Sequence, residues 1–223
     1  MKRVHEGRHL RFSGSDARIL EFQNQSYSQL DLVMSSYIET SRSKSLQFNC
    51  PLLAVACFVP TPPRGQTESV RKLTTFALSS QVHPDDINVL SVIQYAVDAV
   101  GVEHVIIAGH THCGGAAACR AAACKDLTSP APDTPLGKWL EPLTSIAGSM
   151  TVSEDEDAVT KLVEENVKAQ VRNVINTKTL QGAWASGKNV QVHGWVYQLE
   201  NGRVRDLGVT WGKEQMALLQ LGL

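Results

Sequence analysis

The sequence predicts an α/β fold, with a central, mostly parallel β-sheet flanked by helices. Three observations carry this. Short apolar runs of strand length occur at 52–59, 104–109 and 190–197. Segments with helical apolar spacing occur at 87–100 and 154–176. Strands that alternate with helices imply crossover connections, and crossovers build parallel sheets covered on both faces.

Each element has its own justification. Residues 1–45 are polar and mixed, with a modest helical pattern around Tyr27 to Ile38, and read as an N-terminal arm. A domain over 46–210 and a C-terminal tail over 211–223 follow. The run from Leu52 to Val59 is closed by Pro60 and reads as a buried strand. Residues 60–81, with Pro60, Pro62, Pro63 and Gly65, read as loop. The next helix has an acidic start at Asp85 and Asp86, an apolar face of Ile87, Leu90, Ile93, Val97 and Val100, and a stop at Gly101. His104 to Gly109 reads as a fully buried strand of parallel type. A tight turn from His110 to Gly115 leads to a small-residue helix over 116–123 and a Pro-rich loop over 125–136. Ser153 is the expected N-cap of a helix whose core face is Val159, Leu162, Val163, Val167, Val171 and Val174. The strand from Val190 to Tyr197 turns at Asn201-Gly202 into another over 203–209.

Composition narrows the function. With 43% hydrophobic and 19% charged residues the chain can bury a core. A net charge of −1 argues against nucleic acid or an anionic membrane as the main partner. No apolar run approaches the roughly 20 residues that span a bilayer. The start carries Lys2, Arg3, Arg8, Arg11 and Arg18 but no apolar h-region, so it is not read as a secretory signal. Glu6 and Asp16 weigh against a mitochondrial presequence, which stays open beside a cytoplasmic location. The five cysteines are Cys50, Cys57, Cys113, Cys119 and Cys124. This odd set points to reduced thiols inside the cell, some of them available to a metal.

The informative segment is Gly109-His110-Thr111-His112-Cys113-Gly114-Gly115, directly after a buried strand. Open α/β sheets place their sites beyond the carboxyl ends of strands. A His and a Cys three apart can aim an imidazole nitrogen and a thiolate at one point, and the two glycines keep side-chain bulk away. Borderline-soft donors of this kind suit Zn²⁺. Taken alone, His-x-x-Cys describes equally well a buried histidine and a buried cysteine beside a turn.

The wider pattern resolves this. The segment resembles the second zinc motif of the β-class carbonic anhydrases in its fungal form. The stretch from His83-Pro84-Asp85-Asp86 to Val97, the run Pro135 to Leu140, Glu165-Asn166-Val167 and Val192 to Tyr197 are similar to other parts of that family, in the same order. The resemblance covers about residues 81–209. It implies a zinc ion held by two cysteines and one histidine, here His110, Cys113 and Cys57, with water in the fourth position. It implies reversible hydration of carbon dioxide to bicarbonate, with COS or CS₂ as neighbouring substrates. It also implies a homodimer or higher homo-oligomer with an N-terminal arm over the partner. No further catalytic group is assigned.

The resemblance breaks before residue 81. The family's first motif is Cys-x-Asp-x-Arg, whose Asp orients the bound water and whose Arg holds the Asp. Cys57 is followed here by Phe58-Val59-Pro60-Thr61, and the family's later His-Arg-Asn stretch is missing as well. Three readings follow. Cys57 completes the site with the Asp–Arg pair lost. Or the chain is a relative that holds zinc poorly or not at all, a pseudoenzyme acting through its surface. Or the residues before 81 come from a faulty reading frame or an untrimmed intron. Cys50 is the fallback third ligand. His112 reads as a turn residue, His83 as a loop residue, Cys119 and Cys124 as buried thiols, and Asp85 and Asp86 as helix-start charges. The four tryptophans, Trp139, Trp184, Trp195 and Trp211, are expected in the core or at a subunit interface.

Overall fold

The structure is a computed structural model and describes residues 53–58, 72–124, 133–153 and 157–220. The expected arm over 1–45 and Cys50 lie outside them. The strands are β1 (Leu53–Phe58), β2 (Lys72–Ala77), β3 (His104–His110), β4 (Gln191–Gln198) and β5 (Arg203–Trp211), in one sheet of order β2-β1-β3-β4-β5. The helices are α1 (Ile87–Gln94), α2 (Gly114–Ala123), α3 (Pro135–Ser149), α4 (Ala158–Ile175), α5 (Lys178–Ala185) and α6 (Lys213–Gln220). A π-helical turn, Tyr95–Val100, extends α1 and ends on Gly101 in the left-handed conformation.

The α/β class holds, but the sheet is mixed rather than mostly parallel. Only β3 and β4 run parallel; β1 is antiparallel to both β2 and β3, and β4 to β5. Connection length explains two of these pairings. Between β3 and β4 lie α2 to α5, ample chain for a crossover, whereas β4 and β5 are joined by residues 199–202 and must form a hairpin.

Several boundaries differ from the sequence reading. Lys72 to Ala77, expected as loop, is β2, because β1 offers it a full antiparallel ladder. Pro135, expected in a loop, is the first residue of α3, where its missing N–H costs nothing; Thr134 caps that helix by accepting from Gly137 N–H. Ser153 is not the cap of α4. Asp157 is, accepting from Val159 N–H at 3.1 Å and from the Thr160 hydroxyl, and a carboxylate there also meets the positive end of the helix. On α1 the buried residues are Val89 and Ile93, with Ala96 and Val97 beyond, while Ile87 is 77% exposed. The expected face is therefore rotated toward Val89. Cys119 is buried as expected, but Cys124 is exposed at the end of α2.

The core centres on α4 and the β3–β4 pair. Leu162, Val163, Val167, Val171 and Val174 are buried, and Val163, Val167 and Val171 meet the strand glycines of the sheet. Two strand glycines let the helix come close. A Cβ on Gly109 would lie 2.8 Å from methyls of both Val163 and Val167. One on Gly194 would lie 2.6 Å from a Val209 methyl and 3.1 Å from Val167. Of the tryptophans, Trp184 and Trp195 are buried and Trp139 and Trp211 pack partly against the core.

The same helix carries buried amides. Asn166 and Gln170 are almost fully enclosed, and their partners lie in the segment after β2. Asn166 Nδ2 donates to the Ser79 carbonyl at 2.7 Å, Gln81 Nε2 donates to Asn166 Oδ1 at 2.9 Å, and Val82 N–H donates to Gln170 Oε1 at 2.9 Å. These bonds hold Ser79 and Ser80 at φ of 53° and 61°, a conformation that costs a non-glycine residue of order 1 kcal/mol or more. The Ser80 hydroxyl then donates to the Ala108 carbonyl in β3 at 3.3 Å.

Gly109→Ala and Gly194→Ala each overpack the seat of α4. Each is expected to lower stability by about 1–3 kcal/mol, read as a lower melting temperature. An unchanged melting temperature in both would contradict this packing.

Candidate functional site

His110 is the last residue of β3 and Cys113 the N-cap of α2, so the strand-to-helix turn delivers both to the carboxyl end of the parallel β3–β4 pair. Each is about 4% exposed. The His110 Nδ1 lies 2.8 Å from the Thr111 carbonyl oxygen. A carbonyl only accepts, so Nδ1 carries the hydrogen. The other nitrogen, Nε2, is buried and has no hydrogen-bond partner among the described residues. A buried imidazole nitrogen left with a bare lone pair is a costly arrangement unless something else uses it, and a metal ion is the group that does. Cys113 sits at the positive end of α2, a favourable place for a thiolate.

The turn is built by Thr111 and His112. Thr111 is buried and hydrogen-bonded to the β4–β5 hairpin. His112 takes φ of 55° and is exposed, 3.8 Å from Glu200, which fits the turn role expected of it. His83 packs tilted against Trp139, ring centroids 4.3 Å apart, and its Nε2 lies 3.1 Å from the Trp139 carbonyl, so it serves packing. Asp86 caps α1 through Asn88 N–H at 2.9 Å, and Asp85 lies in the preceding turn.

Cys57 is not brought to this point. In the antiparallel ladder it pairs with Val105, at the start of β3, while His110 is five residues further on. At about 3.3 Å per residue the two are about 17 Å apart along the sheet. Among the described residues no group of three His, Cys, Asp or Glu could hold a metal ion together. The imidazole of His110 and the thiol of Cys113 are donor types that suit zinc, and among the described residues no third such side chain is grouped with them.

A second histidine cluster, which no sequence pattern signals, lies at the opposite end of the same sheet face. His104 Nδ1 and His193 Nε2 are 3.0 Å apart, and His193 Nδ1 is 3.1 Å from the Thr210 hydroxyl. The parallel register pairs Ile106 with His193, which sets the two imidazoles side by side. Burial pushes His104 down to about 4. Burial, and then the charge of His104, pushes His193 down to about 3. Six residues, about 20 Å, separate His104 from His110 along β3.

A family model described as carbonic anhydrase matches residues 73–204, more than half of the chain. A carbonic anhydrase of Emericella nidulans is 30% identical over 129 residues, covering 56% of this chain and 53% of the relative. The chain spans about half the length of the curated relatives it matches. Among solved structures, a tetrameric β-carbonic anhydrase of Sordaria macrospora superposes with a TM-score of 0.52 at 29% identity, covering 60% of this chain and 66% of that one. A β-carbonic anhydrase of Aspergillus fumigatus gives 0.51 at 32% identity, covering 64% and 67%.

Two outcomes are expected from this geometry. Both imidazole values are depressed below the ordinary 6.5, so the unfolded chain binds more protons than the folded one as pH falls from 6.5 toward 4. The stability from keeping the pair neutral is full above 6.5 and is lost across that window. Melting temperature should fall there, and His193→Gln should flatten the slope; an equal slope would contradict it. For the metal, cobalt(II) added to the full chain should give one thiolate charge-transfer contribution. Cys113→Ala should remove it and Cys57→Ala should leave it unchanged; a loss with Cys57→Ala would place that thiol on the ion.

Proposed function

The chain belongs to the β-carbonic anhydrase family, and on that footing we propose that it acts in the reversible hydration of carbon dioxide to bicarbonate. The observation that carries this is the enclosed His110 with its bare Nε2, three residues before Cys113, inside the segment that the family model matches. In this reading His110 and Cys113 hold a zinc ion. When bound, zinc supplies a Lewis acid that makes a coordinated water a nucleophile at neutral pH.

The chain's own residues do the rest. The Thr111 carbonyl orients the imidazole. Gly114 and Gly115 open α2 without bulky side chains, so its first turn leaves room for a small substrate. The positive end of α2 favours an anionic product such as bicarbonate. The segment holding Ser79 and Ser80 is fastened to β3 and gives the neighbourhood a fixed wall. A homo-oligomer in the cytoplasm belongs to this reading, in keeping with the Sordaria relative described as tetrameric. No helix among the described residues is long and apolar enough to cross a membrane.

One observation favours a second reading, a family member that has lost its catalysis. Cys57 lies at the far end of β3 and carries neither the Asp nor the Arg of the family's first motif. Stopped-flow measurement of carbon dioxide hydration, with zinc in excess, separates the two. The first reading expects a zinc-dependent rate above buffer that His110→Ala abolishes. A rate no higher than that of the His110→Ala protein would leave the second.

A further inference from the structure

Every polar group of Thr111 is engaged, in two bonds that it donates and two that it accepts. Its N–H donates to the Tyr197 carbonyl at 2.9 Å. Its hydroxyl donates to the Glu200 carboxylate at 2.7 Å and accepts from Leu199 N–H at 2.9 Å. Three bonds therefore tie Thr111 to the end of β4 and the turn that follows it. The fourth, at its carbonyl, receives the Nδ1 hydrogen of His110 at 2.8 Å. The carbonyl is thus a fixed acceptor, held by a hairpin almost ninety residues away in sequence.

We propose that Thr111 and Glu200 are positioning residues that set the tautomer of His110, keeping the hydrogen on Nδ1 so that Nε2 presents a lone pair to the site. This rests on the reading of His110 as a metal ligand. The reasoning is one of exclusion. A neutral imidazole holds one hydrogen, and in water the Nε2–H form is the commoner. Within this turn the Nδ1 hydrogen has a firm acceptor, while Nε2 is enclosed with no acceptor among the described residues for a hydrogen of its own. The preference lasts only while the Thr111 carbonyl keeps its place. The hydroxyl bonds help to keep it there, beside the N–H bond to Tyr197, because Thr111 lies in a turn where His112 already takes a left-handed conformation. A carboxylate is the strongest acceptor for that hydroxyl, and the bond in turn holds Glu200 below the usual carboxylate range.

The test is the nitrogen chemical shifts of the His110 ring, read by long-range ¹H–¹⁵N correlation on the full chain. Metal is left out, and the pH is held above the imidazole range. Wild type should show Nδ1 protonated and Nε2 bare. Thr111→Val, which loses both hydroxyl bonds, and Glu200→Ala, which removes the acceptor from an exposed position, should each lower the ratio of Nδ1–H to Nε2–H about tenfold or more. Thr111→Ser and Glu200→Gln should keep it. A purely structural role would lower the melting temperature without moving the tautomer. If Thr111→Val does not fold, Glu200→Ala decides. An Nε2–H form in wild type, or an unchanged ratio in the folded Glu200→Ala protein, would overturn the proposal. The measurement uses neither zinc nor carbon dioxide, so failure of the catalytic reading would leave this result standing.

Discussion

The close seat of α4 on β3 and β4 is the constraint on which the rest of the molecule hangs. Gly109 and Gly194 remove two Cβ atoms where the Val163, Val167 and Val209 methyls need the space. With the helix that near, Asn166 bonds the Ser79 carbonyl and Gln170 the Val82 N–H. Between these points Ser79 and Ser80 take a left-handed backbone, and Ser80 fastens to Ala108, two positions before His110. A packing requirement at the centre thus becomes a positional requirement at the strand end. Overpacking at either glycine would be felt there as well as in overall stability.

The proposed metal site divides into a local half and a non-local half. His110 and Cys113 are fixed by one turn, and the turn is fixed by the parallel register of β3 with β4 and by hydrogen bonds to the hairpin beyond β4. The other half depends on which way the neighbouring strand runs. A strand parallel to β3 would bring its last residues to His110; the antiparallel β1 brings them to His104. Direction alone therefore separates a complete ligand set from a half set, with no change in the composition of the strand.

This explains what the sequence could and could not reveal. His110, Cys113 and the turn between them are contiguous, so their spacing marked a candidate, and the resemblance of the surrounding segments to a zinc family turned it into a site. The core face of α4 was legible in its valines, because a helix against a sheet shows its period. Asn166 and Gln170 lie on the same buried face, but their partners are some ninety residues away, and nothing in local spacing announces a buried amide lattice. The facing of His104 and His193 is likewise a product of strand register. β2 was taken for loop because a strand at the edge of a sheet needs no continuous apolar run, and the rotation of α1 was missed because Ile87 sits at a helix end open to solvent. The start of α4 was misplaced because Ser153 and Asp157 both suit a cap, and only the geometry chooses between them.

Gly109 stands beside His110, yet the two answer to different demands. The glycine is required by helix methyls that fill the place of a Cβ, and the histidine by the chemistry proposed for the strand end. Selection on folding alone would therefore preserve half of the motif in a lineage that no longer turned over any substrate. A glycine that merely makes room would look, in an alignment of descendants, like the trace of an enzyme. In this protein it is His110, Cys113 and the bonds that orient them, and not the glycine before them, whose persistence would record a working site.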